Sequence, residues 1–518
     1  DASGILSVNS GDGNDNLTVN ATHATTNINT VAGQDSIRIK SINAATTVSS
    51  GTEDDNIQIY NDSNTVDNIA ASLTISGDAG TDTITVNDAS DTNDNTGILT
   101  STNVTGLDMA GSITYSNAET LNINLGSGAD NFTINSTHTN QTNLNTNAGA
   151  DTVRIKTITG ATNVSTGTED DNIQIYNDSN TVDNIAASLT VSGDAGTDTI
   201  TVNDASDTND NTGILTNTSV TGLDMAGSII YSNGEILNIN LGSGADNFTI
   251  NSTHTNQTNL NTNAGADTVT INDASGILSV NSGDGNDNLI VNATRATTNI
   301  DTVAGQDSIR IKSINAATTV SSGTEDDNIQ IYNDSNTVDN IAASLTISGD
   351  AGTDTITVND ASDTNDNTGI LTNTNVTGLD MAGSITYSNG EILNINLGSG
   401  ADNFTINSTQ TGQTNLNTNA GADTVRIKTI SGATTVNSGT EDDTITVGND
   451  SNTVDNIAAS LTISGDAGTD TITVNDASDT NDNTGILTST NVTGLDMAGS
   501  ITYSNAETLN INLGSWIK

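Results

Sequence analysis

The sequence predicts an all-β protein, a parallel β-solenoid (β-helix or β-roll-like) with about 20 residues per rung and roughly 22 rungs. Three observations predict it. A phrase of glycine, turn, aspartate and short strand returns at a period near 20. Apolar residues alternate with polar ones after each aspartate. No proline occurs among the 518 residues. A fixed short period marks stacked repeats, period-2 alternation marks strands, and the lack of proline suits unbroken ladders.

The phrase is clearest as Gly128-Ala129-Asp130-Asn131-Phe132-Thr133-Ile134. It recurs as Gly13-Asn14-Asp15-Asn16-Leu17, as Gly33-Gln34-Asp35-Ser36-Ile37 and as Gly149-Ala150-Asp151-Thr152-Val153, with Glu53-Asp54-Asp55 and Gly80-Thr81-Asp82 as variants. Its landmark aspartates are Asp15, Asp35, Asp55, Asp82, Asp130, Asp151, Asp171, Asp198, Asp246, Asp267, Asp287, Asp307, Asp327, Asp354, Asp402, Asp423, Asp443 and Asp470. Their spacings are 20 or 21, 27 and 48.

Each short period reads as two strands and two turns. Leu17-Thr18-Val19-Asn20 is one strand, Ala21–Thr26 a polar corner, and Asn27-Ile28-Asn29-Thr30-Val31 a second strand that leads into Gly33-Gln34-Asp35. The 48-residue spacing holds a polar loop, Asn87–Gly97, and strand candidates at Ile98–Thr100, Val104–Leu107, Ile113–Tyr115 and Leu121–Leu125. It reads as two rungs with an outward loop. At a strand spacing of ~4.8 Å the stack would be roughly 105 Å long.

A larger repeat overlies the small one. Gly77-Asp78-Ala79-Gly80 returns at Gly193, Gly349 and Gly465, shifts of 116, 156 and 116, and Asp1-Ala2-Ser3-Gly4 returns at Asp273, a shift of 272. A unit of 116 would also suit tandem immunoglobulin-like sandwiches. The longer unit exceeds the shorter by two basic periods, which a solenoid absorbs without disturbing its neighbours and a closed sandwich does not. Residues 1–518 therefore read as one continuous solenoid. The chain opens mid-repeat and ends on Leu513-Gly514-Ser515-Trp516-Ile517-Lys518, so it is expected to be a segment of a longer repeat protein.

Composition narrows the function. Aromatics are 2% of the chain, enough for a thin core of Ile, Val and Leu but not for several large ones. The 63 acidic and 10 basic residues leave a net charge of −53, which repels nucleic acid and anionic membrane and attracts cations. There is no cysteine, hence no disulfide framework. No apolar run approaches membrane-spanning length.

Stacking places one landmark carboxylate per rung along one edge, Asp15 over Asp35 over Asp55. Like charges at strand spacing need a cation among them or a proton. Calcium takes 6–8 oxygens, monodentate carboxylates and backbone carbonyls included. The alternative is a plain turn in which each Asp bonds its own backbone.

Ser10-Gly11-Asp12-Gly13-Asn14-Asp15-Asn16-Leu17-Thr18 and Gly126-Ser127-Gly128-Ala129-Asp130-Asn131-Phe132-Thr133 resemble degenerate forms of the RTX (haemolysin-type) calcium-binding nonapeptide, and the chain is similar to repeats of very large secreted bacterial surface proteins. The resemblance implies calcium as cofactor and the Asp of each matching copy as its ligand, with Asp15, Asp130, Asp246, Asp287 and Asp402 the best matches.

Asp91-Thr92-Asn93-Asp94-Asn95-Thr96-Gly97 begins like an EF-hand loop, but its glycine is one place late and Thr102 stands at the bidentate position. A solvated loop is the other reading. The basic residues cluster as Arg38 and Lys40, Arg154 and Lys156, Arg310 and Lys312, Arg426 and Lys428. They either balance nearby acidic turns or meet the acidic edge of another chain.

Catalysis is not expected. His23 and His138 are replaced in sister copies by Arg295 and Gln410, and candidate acid pairs recur many times where an active site would occur once. The expected role is an extracellular or cell-surface structural one, a calcium-stabilised rod or filament. The alternatives are the stalk of a giant adhesin and an ice-binding solenoid. Expected partners are further copies of the chain, end to end and laterally, together with cell-surface or matrix glycans. Nucleic acid binding and membrane insertion are not expected.

Overall fold

A computed structural model describes residues 4–514, which hold 49 strands and no helix. The tail Ser515-Trp516-Ile517-Lys518 lies outside the described residues. The chain divides into two compact units, residues 1–247 with 254–261 and residues 248–253 with 262–518.

In the first unit, β1 (Leu6–Asn9), β2 (Asn16–Val19), β3 (Thr26–Asn29), β4 (Ser36–Ile39), β5 (Thr46–Ser49), β6 (Asn56–Ile59), β7 (Ser72–Ser76) and β8 (Thr83–Asn87) alternate between two sheets. Odd strands pair in parallel in the first sheet, even strands in the second. Val8 lies opposite Ile28 and Ile28 opposite Val48, so the predicted 20-residue circuit is the pairing register itself. Like residues stack on like because any one-residue slip would turn the apolar set outward. The 27-residue circuits come from a longer corner at 60–71, where Asn61 Oδ1 accepts the Ser63 and Thr65 N–H groups at 2.8 and 3.1 Å.

The inward positions Ile37, Ile39, Ile57, Ile59, Ile84 and Val86 are fully buried. Outward positions carry amide ladders, such as Asn163 Nδ2 to Asn143 Oδ1 at 2.9 Å and Asn143 Nδ2 to Asn122 Oδ1 at 2.8 Å.

The 48-residue segment departs from expectation. β9 (Thr96–Leu99), β10 (Asn103–Gly106) and β11 (Ser112–Ser116) form an antiparallel meander within the first sheet, with β11 parallel to β7. β12 (Thr120–Asn124) continues on β8 in the second sheet, and β13 (Asn131–Ile134) returns to pair with β9 in the first. From Asp82 to Asp130 the chain thus makes one and a half circuits, not two, because three strands occupy one face where one was expected.

The half circuit exchanges the faces. The strand holding Arg38 lies in the second sheet, whereas its sequence counterpart Thr152–Ile155, holding Arg154, lies in the first. The next meander, Thr212–Leu215, Ser219–Gly222 and Ser228–Ser232, accordingly lies in the second sheet. The second unit makes the same exchange. Its meander of Thr368–Leu371, Asn375–Gly378 and Ser384–Ser388 is in one sheet, and that of Gly485–Leu487, Asn491–Gly494 and Ser500–Ser504 is in the other. The polar loop is outward only in part: Ala89, Ser90, Thr92, Asn93 and Asp94 are exposed, but Asp88, Asp91 and Asn95 are buried.

Candidate metal-binding corners

Every landmark aspartate closes a corner between sheets and opens the following strand. Corner glycines are required there on two counts. Gly33 adopts φ +126°, and a Cβ on it would stand 2.3 Å from the Gly13 carbonyl oxygen one circuit away. Close stacking of corners brings the aspartates into register.

They form hydrogen-bonded ladders. The Asp15 N–H donates to Asp35 Oδ1 at 2.8 Å, Asp35 N–H to Asp55 Oδ1 at 2.8 Å, and Asp55 N–H to Asp82 Oδ1 at 2.9 Å. The ladder stops where Asp82 N–H donates to Glu119 Oε2 at 2.8 Å. A second ladder starts at Asn95, whose N–H donates to Asp130 Oδ1 at 2.7 Å, and runs through Asp151, Asp171 and Asp198 to Glu235. Asn211 then meets Asp246 at 2.8 Å. In the second unit, Asp267, Asp287, Asp307, Asp327 and Asp354 lead to Glu391, and Asn367, Asp402, Asp423, Asp443 and Asp470 lead to Glu507.

The expectation of one carboxylate column along one edge needs correction. Asp15, Asp35, Asp55 and Asp82 lie on connections from the first sheet to the second. Asp130, Asp151, Asp171 and Asp198 lie on connections from the second back to the first, the opposite edge. The meander's half circuit moves them. The plain-turn alternative is also corrected in detail: along these ladders Oδ1 accepts from the main chain of the neighbouring circuit, while Asp130 and Asp402 also draw on their own corners through Gly126 and Gly398.

The other carboxylate oxygen is the unusual one. In sixteen of the eighteen landmark aspartates, Asp35, Asp151 and Asp423 among them, Oδ2 is buried without a well-aligned donor, although a hydroxyl five residues earlier lies near several of these carboxyls, as Thr146 does at Asp151 and Thr418 at Asp423. Burial pushes the carboxyls of Asp151, Asp307 and Asp423 up to about 7 against the pull of their hydrogen bonds, and those of Asp82, Asp130, Asp171, Asp287, Asp354 and Asp443 to about 6. Neighbouring carboxylates add to the rise, as Asp130 and Asp171 do at Asp151. A buried oxygen of this kind takes a proton or a cation. The donor set at the corners is all oxygen, which fits a hard divalent ion.

No family model matches the chain, and no curated protein matches it. Among solved structures, a hyperactive, Ca2+-dependent β-helical antifreeze protein from an Antarctic bacterium is similar at 17% identity, over 66% of this chain and 83% of that one, with a TM-score of 0.19. A TM-score that low carries no argument, so the fold rests on the strand register and the corners on their own geometry.

The remaining sequence candidates fall elsewhere. Arg38 and Lys40 both reach Asp62, at 3.3 and 2.7 Å, and the Arg38 guanidinium lies 4.0 Å from the Tyr60 ring centre. The counterparts at Asp178, Asp334 and Asp450 repeat the ion pairs, so local charge balance describes them; Arg154 and Arg310 also repeat the ring contact, whereas the Asp450 copy has Gly448 in place of the tyrosine. His138 sits edge-on to Tyr115 at 5.7 Å, with Nδ1 3.2 Å from Thr142 Oγ1.

Two sets were missed by the sequence reading. Asn95 and Glu119 hold the landmark position in their own strands: Asn95-Thr96 and Glu119-Thr120-Leu121 match the frame of Asp82-Thr83-Ile84. A search allowing Asn and Glu for Asp would have found both. Asp67 and Asp88 carry no local signal at all.

Proposed function

We propose that this chain is a calcium-stabilised structural segment of an extracellular repeat protein, serving a surface fibre or matrix in a mechanical and not a catalytic role. One observation carries the reading: buried carboxylate oxygens without well-aligned donors, aligned circuit after circuit. At neutral pH those oxygens repel one another across roughly a strand spacing. A divalent ion between successive corners offsets that repulsion and couples ion binding to strand pairing. The best sequence matches, Asp15, Asp130, Asp246, Asp287 and Asp402, and the weaker ones such as Asp35 share the same corner geometry, so all landmark aspartates are proposed ligands. Among the described residues no helix is long and apolar enough to cross a membrane. The acidic, cysteine-free composition and the calcium requirement suit the calcium-rich medium outside a cell.

Far-UV circular dichroism of the chain, calcium-depleted and then titrated with calcium chloride, tests this. The β signal and the melting temperature should both rise with calcium and fall again with EGTA. Spectra and melting curves that superimpose in both states would remove the proposal. Sedimentation at high calcium separates the two mechanical roles: growth into larger species supports the fibre, and a constant monomer supports a stalk.

A further inference from the structure

A different acidic cluster stands where the second ladder begins. A carboxylate oxygen from each of Asp67, Asp88 and Asp91 lies within 4.8 Å of the other two. Asp88 is fully buried, Asp91 is 6% exposed, and Asp67 faces solvent. Two corners of different length meet here, 61–69 and 88–95, joined by Ser90 N–H to the Asn64 carbonyl at 3.2 Å. One oxygen of each buried carboxylate is committed to the main chain. Asp88 Oδ1 accepts from Val66 N–H at 2.9 Å, and Asp91 Oδ1 from Thr92 and Asn93 N–H at 2.6 and 3.1 Å. The other oxygens converge on one amide: Asn95 Nδ2 donates to Asp88 Oδ2 at 3.1 Å and to Asp91 Oδ2 at 2.8 Å.

Asn95 supplies the second, independent observation. It is 2% exposed, and its own Oδ1 is buried with no donor. A half turn of the amide would exchange the two atoms and put Oδ1 beside both carboxylates. A proton or a cation among those oxygens would favour that orientation, and a cation would exchange the two hydrogen bonds from Nδ2 for contacts to all three oxygens. Asp130, joined to Asn95 through the main chain, adds another unpartnered Oδ2 next to Asp91. No Lys or Arg is ion-paired to this cluster among the described residues.

We propose that Asp67, Asp88, Asp91 and the Asn95 side-chain carbonyl form a discrete calcium site that clamps the 88–95 corner onto the 61–69 corner at the root of the meander. The ligands are all hard oxygens, with no nitrogen or sulfur, and the carboxylates outnumber what octahedral magnesium accepts from protein. Asp67 leaves one side open to water and gives the ion its entry. The same arrangement occurs around Asp204, Asp360 and Asp476. The inference does not rest on calcium in the ladders, since none of the three carboxylates is a landmark aspartate.

The test is equilibrium dialysis of the full chain against calcium alone, beside the variant D67A/D183A/D339A/D455A. All four positions are exposed, so the variant should keep the far-UV spectrum of the unmodified chain at saturating calcium. The variant should bind four fewer ions per chain. If the ladders take no calcium, the counts become four and none, which still supports the site. Equal counts in the two proteins overturn it, whatever the ladders bind. Should the fourfold variant misfold, Asp339→Ala alone should lose one ion, and its failure to do so overturns the site equally.

Discussion

The main-chain N–H of Asp130 donates to Oδ1 of Asp151 at 2.8 Å, while Oδ2 of Asp151 is buried without a well-aligned donor. One carboxylate thus does two separable jobs, one for the backbone of the neighbouring circuit and one for whatever neutralises it.

Substitution should separate them. Asp151→Ala strands the buried Asp130 N–H and should cost ~1–3 kcal/mol locally, in calcium or without it. Asp151→Asn keeps an acceptor and removes the charge, so it should leave the calcium-free chain as stable or more so while weakening its response to calcium. Hydrogen exchange of Asp130 and Thr152 amides reads both. Equal protection in the two variants would contradict the division of labour.

Burial holds Asp151, Asp307 and Asp423 near 7, and six other landmark carboxyls near 6, against an ordinary value of 3.8. Without calcium, the folded chain keeps protons that the unfolded chain has released between about pH 4 and pH 7. The stability from these groups is complete below about pH 4 and lost as pH rises through 7. Melting temperatures in calcium-free buffer should therefore fall from pH 4 to pH 8, and millimolar calcium should flatten or reverse the trend. A calcium-free melting point that climbs over this range would count against buried, ion-hungry carboxylates.

A Cβ on Gly97 would stand 2.4 Å from Phe132 Cδ2, where β9 lies against β13. Gly97→Ala should overpack this contact at a cost of ~1–3 kcal/mol. Phe132→Ala should cost ~3–5 kcal/mol by leaving a cavity beneath the meander. Limited proteolysis should then cut between residues 100 and 112 sooner in both. Combining the two should not recover the loss, because alanine is too small to refill the ring's space.

Arg154 and Lys156 share Asp178 at 3.3 and 2.8 Å, and Asp178 is largely exposed. Such surface pairs contribute ~0–1 kcal/mol. Asp178→Asn should move the melting temperature very little and less still at high salt. A large loss would show that the pair has a further role, such as the lateral contact between chains that its sequence pattern also allowed.

Much of this was legible in the sequence because a stacked repeat writes its geometry into its period. The 20-residue return of Asp35 to Asp55 is the strand register, the alternation in Ile57-Gln58-Ile59 is the buried face, and Gly33 marks a corner that no side chain fits. Those facts are local, and each circuit states them again.

Tertiary structure alone decided the rest. Whether Ile98, Val104 and Ile113 belonged to successive circuits or to one folded-back sheet depended on β10 pairing antiparallel with both neighbours, a contact that alternation cannot distinguish from parallel stacking. That one choice moved the aspartate ladder to the opposite edge and put Arg38 and Arg154 on opposite faces. The meeting of Asp67 with Asp88 was equally out of reach: the two lie 21 residues apart in corners of unequal length, and only the packing of one corner on the other brings their carboxylates together.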